Sequence, residues 1–124
     1  METRRLGRTG HQSTVAILGG AMFARTDPAT TEAAFNLALD RGVNHLDIAP
    51  SYGDAEIAVG DLVAARRDEL FVGGKTRRTN PDGVRDQFAT TLERMGLDRI
   101  DLYQAHGVTS IEELDRRATA LETI

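Results

Sequence analysis

A chain of 124 residues suits a single domain with its own core, but it is well short of the roughly 250 residues of an eight-unit α/β barrel. Forty per cent hydrophobic and 27% charged residues exclude a disordered chain, and a net charge of -4 with scattered arginine pairs leaves no basic footprint for nucleic acid. With no cysteine, no apolar run near the roughly 20 residues of a membrane span and no signal-peptide pattern, disulfide, thiolate and membrane classes drop out, and the expected setting is cytoplasmic.

The elements follow in order. Thr3-Leu6 and Thr14-Leu18 flank the turn Gly7-Arg8-Thr9-Gly10-His11, which predicts a β-hairpin. Ile17-Leu18-Gly19-Gly20 reads as a first buried strand. Asp27-Pro28 is an N-cap followed by proline at the first helical position, and Ala33, Ala34, Leu37 and Ala38 predict the apolar stripe of a helix that stops at Arg41-Gly42. His45-Ala49 is a second strand, followed by a helix from about Asp54 to Arg66 with Ile57, Ala58, Leu62 and Ala65 on its inner face. Leu70-Gly74 is a third strand. Asn80-Pro81 repeats the cap, Val84, Phe88, Leu92 and Met95 form a stripe, and Gly96 ends the helix. Ile100-Ala105 is a fourth strand, and Ser110 with Glu113 is a capping box for a last helix with Ile111, Leu114, Ala118 and Leu121 inward.

A hairpin followed by four βα units without a linker predicts an α/β fold with one parallel sheet, whose ligands bind beyond the carboxyl ends of the strands. No glycine-rich phosphate fingerprint follows any strand, so a doubly wound nucleotide-binding fold is disfavoured. The strand ends carry Gly20, Asp47, Tyr52, Lys75 and His106. Lys75 is the only lysine beside fourteen arginines. Arginine is a fixed, always charged fork, whereas lysine is a compact charge that can tune a neighbour. Reduction of a carbonyl requires a proton donor for the developing alkoxide, and an ammonium beside Tyr52 would stabilise the phenolate left behind. Asp47 would hold Lys75 charged and aimed, and His106 would donate to the carbonyl or modulate the tyrosine.

These residues resemble the aldo-keto reductase family. His45-Leu46-Asp47-Ile48-Ala49-Pro50-Ser51-Tyr52-Gly53-Asp54-Ala55-Glu56 is similar to the signature after the family's second barrel strand, Phe71-Val72-Gly73-Gly74-Lys75-Thr76 to its third-strand segment, and Asp101-Leu102-Tyr103-Gln104-Ala105-His106 to its fourth. Arg5-Leu6-Gly7-Arg8-Thr9-Gly10 with Leu18-Gly19-Gly20 resembles its opening hairpin and first strand. The resemblance implies a (β/α)8 TIM barrel that reduces aldehydes and ketones by hydride transfer from NADPH, or alternatively NADH, with Tyr52 as general acid, Lys75 and Asp47 tuning it and His106 orienting the carbonyl. Gly20 and Asp47 are its expected cofactor contacts. It also implies that residues 1–124 form the N-terminal half, with strands five to eight absent. The expected partners are a small carbonyl substrate and, through two open sheet edges and an uncovered apolar interior, a second copy or a complementary half-barrel, the chain being inactive alone.

Each residue also has a plainer reading. Asp47 can cap a turn, Tyr52 can be a rim aromatic, His106 a structural histidine and Lys75 an accident of arginine bias. His45 is expected to pack behind Asp47, His11 to be solvated, and Glu56 to complement a helix dipole. Two other functions compete: a Schiff-base lyase using Lys75, and a non-catalytic binding or regulatory subunit of barrel type.

Overall fold

A computed structural model of the chain describes residues 1–123. The antiparallel hairpin pairs β1 (Thr3–Arg5) with β2 (Gln12–Thr14), a second arm that is shorter and begins two residues earlier than the sequence suggests. The strand β3 is Leu18–Gly19, and Gly20–Arg25 winds into a 3-10 turn where the sequence shows no periodicity. There follow α1 (Pro28–Asp40), β4 (His45–Asp47), α2 (Ala55–Ala65), β5 (Phe71–Thr76), α3 (Pro81–Met95), β6 (Leu102–Ala105) and α4 (Ile111–Leu121). The strands β3, β4, β5 and β6 lie side by side in that order, all parallel.

The helix ends form as their caps dictate. The Asp27 carboxylate accepts from Thr30 N at 3.0 Å, and the Asn80 side chain accepts from Gly83 N at 2.8 Å, each satisfying an otherwise unpaired first-turn amide. Gly96 takes φ 62° after α3, a left-handed stop that suits glycine. At α4 the predicted capping box is modified. The Ser110 hydroxyl accepts from Glu113 N, but the Glu113 carboxylate reaches the amide and hydroxyl of Thr109 rather than Ser110 N.

The core lies between one face of the sheet and helices α1 to α3. Leu18, Leu46, Ile48 and Val72 point into it from the strands and meet Phe35 and Leu39 of α1, Val59 and Val63 of α2, and Met95 of α3. Each fully buried aliphatic or aromatic side chain contributes about 1.5–3 kcal/mol. The stripes expected on three helices are rotated. On α1 the buried residues are Thr31, Phe35 and Leu39, while Leu37 is exposed. On α2 they are Ala55, Glu56, Val59, Gly60 and Val63, while Ile57 and Ala58 are exposed. On α4, Arg117 and Ala120 are buried and Ile111 and Leu114 exposed. A pattern counted on apolar residues alone cannot register a buried Glu56 or Arg117, whose burial depends on partners supplied by other elements.

On the other face of the sheet His45, Asp47, Phe71 and Lys75 alternate with the core positions, as the strand period requires. The hairpin closes the amino end of this face. Ser13 Oγ lies 2.8 Å from His45 Nδ1, and the His11 ring stacks on Phe71 at 4.4 Å, so His11 is a packing residue and not a solvated one. Burial and the neighbouring His11 hold His45 below its ordinary value of 6.5, which keeps the ring neutral. Phe71 is thereby covered, and the remaining positions of this face include Gly73 and Gln104. Leu102, opposite Gly73, is a half-buried apolar residue of this same face, and further exposed apolar side chains are those of Ile17, Met22, Ile57 and Ile111. No helix among the described residues is long and apolar enough to cross a membrane.

Helices α2 and α3 meet backbone to backbone at Gly60, where a Cβ would lie 2.9 Å from Arg94 O and 3.0 Å from Met95 Cα. Gly60→Ala is expected to cost about 1–3 kcal/mol by prising the helices apart, read as a lower urea midpoint at unchanged slope. A midpoint equal to or above that of the parent chain would show that the contact yields freely.

Candidate active site

Three strand ends and one turn build the site. Asp47 ends β4, and Tyr52 sits in the turn that follows, where Tyr52 N donates to Ala49 O at 3.0 Å and Ala55 N to Tyr52 O at 3.2 Å. Gly53, at φ 59°, lets the chain reverse immediately after the tyrosine. Lys75 lies near the end of β5, and His106 follows β6, still laddered to β5 through His106 N donating to Thr76 O at 2.8 Å. The four residues expected from the sequence to be catalytic therefore come together at one mouth.

Lys75 Nζ lies 2.5 Å from Asp47 Oδ1, 3.3 Å from Tyr52 OH and 3.5 Å from Ile48 O. The ammonium has three N–H donors and here finds three oxygens. Because it donates to the phenol oxygen, the proton of Tyr52 is left to point away from Lys75. The His106 ring stands edge-on to Tyr52 with centroids 5.5 Å apart, and its Nδ1 is 3.1 Å from Ser51 Oγ. Burial, then the charges of Lys75 and Arg77, hold His106 below its ordinary 6.5, with Asp47 opposing them, so the ring is neutral at physiological pH. In the tautomer in which Ser51 donates to Nδ1, the single ring proton resides on Nε2.

The chain's other tyrosine is a natural comparison. Tyr103 pairs with Gly74, one position out of phase with Lys75, and so faces α3 on the opposite side of the sheet, packed edge-on against Phe88 at 5.0 Å. Burial pushes its phenol up to about 12, and its hydroxyl is enclosed without a hydrogen bond, although Thr76 and Thr91 are its neighbours. Only Tyr52 is beside a cation able to accept its negative charge.

Two supporting residues were not assigned to the site from the sequence. Arg117 of α4 is buried, donates to the backbone carbonyl of His106 at 2.8 Å and is ion-paired to Glu113, whose other oxygen holds Thr109. This chain of contacts pins the loop that carries His106; the clue in the sequence was an arginine within an otherwise apolar helical stripe. Glu56, expected at a helix N-terminus, is fully buried and accepts from Thr91 Oγ1 at 2.8 Å and from Arg94 at 3.4 Å, which ties α2 to α3 behind the tyrosine turn. Gly20 has a packing reason for being glycine, since a Cβ there would lie 2.9 Å from Ile48 Cγ1 and 3.0 Å from Asp47 O. Among the described residues no cluster of metal-ligating side chains occurs.

The family model of the aldo/keto reductase family matches residues 16–124. The aldo-keto reductase YhdN of Bacillus subtilis is 28% identical over an alignment 121 residues long that covers 86% of this chain and 37% of that protein. The aldo-keto reductase AKR11C1 of Bacillus halodurans, in its holo form, superposes with a TM-score of 0.86 at 26% identity, covering 98% of this chain and 45% of that one. An aldo-keto reductase of Klebsiella pneumoniae in complex with NADPH superposes with a TM-score of 0.83 at 24% identity, over 98% of this chain and 44% of the other. The chain thus spans less than half the length of each of these proteins. Its parallel sheet with βα units is half of a (β/α)8 barrel.

The charges around His106 are testable in the chain itself. Its ring protons should titrate by NMR with a midpoint below 6.5, and Lys75→Met should move that midpoint upward, because a positive neighbour that opposes protonation is lost. A downward move or none would show that Lys75 does not act on the ring.

Proposed function

The chain belongs to the aldo/keto reductase family, and on that premise we propose that it carries the proton-donating half of an NAD(P)H-dependent oxidoreductase site for aldehydes and ketones. The observation that carries this reading is the sole lysine seated between a carboxylate and a phenol, 2.5 Å from Asp47 Oδ1 and 3.3 Å from Tyr52 OH. Tyr52 gives its proton to the carbonyl oxygen, and the Lys75 ammonium stabilises the negative charge that gathers on the phenol oxygen as the proton leaves. Asp47 keeps the ammonium aimed. The Nε2–H of neutral His106 is the second donor to the same carbonyl oxygen and fixes its orientation. Against the Schiff-base alternative, all three lysine protons are directed at oxygens, which leaves Nζ poorly placed to attack a carbonyl carbon.

The residues present fit one end of a dinucleotide cofactor. Asp47 commits one oxygen to Lys75, and its second, without a hydrogen bond among the described residues, suits a ribose hydroxyl. Gly19 pairs with Asp47 across the ladder and leaves open space where a side chain would stand, whereas the crowding at Gly20 leaves no such space. NADPH, which the Klebsiella protein binds, or NADH would supply the hydride. No glycine-rich turn offers a phosphate cradle here, so the diphosphate end would have to be held by residues outside this half.

In protein that contains both barrel halves, Tyr52→Phe is expected to lower the rate of carbonyl reduction by about 10²–10⁴-fold while leaving cofactor affinity within twofold. Turnover within threefold of the parent would overturn the role of Tyr52. The edges β3 and β6 have no outer neighbours among the described residues, which supports pairing with a second copy or a complementary half. Sedimentation should therefore show species heavier than one chain at micromolar concentration, and a single monomeric boundary would rule this out.

A further inference from the structure

Beside Lys75 and His106 lies a cavity of about 130 Å³, lined also by Pro50, Ser51, Arg77 and Gln87. That volume suits a small polar molecule, a few times the roughly 30 Å³ share of one water. Its lining is one-sided in its chemistry. Lys75 already has its carboxylate, Asp47, but Arg77 has no ion pair among the described residues, unlike Arg66, Arg67, Arg94, Arg99 and Arg117. Gln87 is oriented by Thr76. The Thr76 hydroxyl accepts from Arg78 N at 3.0 Å and donates to Gln87 Oε1 at 2.6 Å, which leaves the amide N–H groups of Gln87 free at the cavity wall. Among the described residues no carboxylate lines the cavity. His106 senses this field, since Lys75, Arg77 and Arg117 each oppose its protonation.

We propose that Arg77 and Gln87 form a subsite for the carboxylate of the carbonyl substrate, so that oxoacids of a few carbons are preferred over neutral aldehydes and ketones of the same size. This rests on the carbonyl-reductase reading of the same mouth. The guanidinium is a planar fork that accepts a carboxylate through two N–H groups, and the Gln87 amide adds a neutral donor. An anion so held satisfies donors without acceptors among the described residues, while its carbonyl is directed to the end of the cavity lined by Lys75 and His106, next to Tyr52. The same donors would also accept a phosphate group, so the test separates the two sources.

The probes are 4-oxopentanoate, its neutral counterpart 2-pentanone, and inorganic phosphate, each titrated into the full chain at constant ionic strength while the His106 ring signals are followed by NMR. No turnover is required. The oxoacid is expected to saturate about three- to tenfold more tightly than the neutral ketone, a margin set by the partial solvent screening of Arg77. Arg77→Gln should reduce the ratio to below twofold, and Tyr52→Phe should leave it intact. Retention of the preference in Arg77→Gln, equal binding of phosphate and oxoacid, or no response to any probe would overturn the proposal. Loss of reduction in the two-half protein tests the carbonyl-reductase reading separately. If Tyr52→Phe left turnover intact while the oxoacid preference persisted, that reading alone would fail.

Discussion

The contact between Lys75 and Asp47 is where the strand ladder becomes chemistry. Parallel pairing sets Asp47 opposite Gly73, so Lys75 projects two residues further along the same face and reaches back over β4 to the carboxylate. At Gly73 a Cβ would lie 3.4 Å from His45 Nε2 and 3.9 Å from Asp47 Oδ1, ordinary contact distances, so the reach does not depend on a glycine there. The lysine side chain is 13% exposed and the aspartate 34%. An ammonium so nearly withdrawn from water needs a partner, and a partner still wetted on one side can serve a second ligand.

From that pair the rest of the site follows by proximity. Tyr52 is delivered by a turn that begins as soon as β4 ends, and His106 by the first residue beyond β6, so neither depends on a long mobile loop. Arg117 ties α4 to the His106 carbonyl, and Glu56 ties α2 to α3. Both are buried charges whose partners are already in place, which makes the helices that back the sheet part of the machinery that holds the mouth in shape.

The two faces of the sheet divide the work. One carries Leu46, Ile48 and Val72 against the helices, where dispersion and dehydration stabilise the fold. The other carries the charged and aromatic groups, closed at its amino end by the hairpin through His11, Ser13 and His45. The fate of the two tyrosines shows how strictly this division acts. Tyr52, in the turn after β4, meets an ammonium, whereas Tyr103, one step out of phase with Lys75, is sealed against Phe88 on the other side of the sheet, where burial raises its phenol.

Local chemistry determined much by itself. The caps at Asp27, Asn80 and Ser110, the glycine stop at Gly96 and the succession of strands and helices depend on residues near in sequence, and they are legible there. The residues of the mouth were legible too, because strand ends of a parallel sheet converge whatever the details. Only the tertiary structure decided which helix faces turn inward: Glu56 and Arg117 are buried by partners on other elements, which leaves Ile57, Ile111 and Leu114 in water, and α1 buries Thr31, Phe35 and Leu39 rather than Leu37. It also decided that His11 packs under the sheet and that Gly20 is glycine for close contact with Ile48. A sequence records which groups are available; burial of a charge or a close approach of two backbones exists only once distant segments have met.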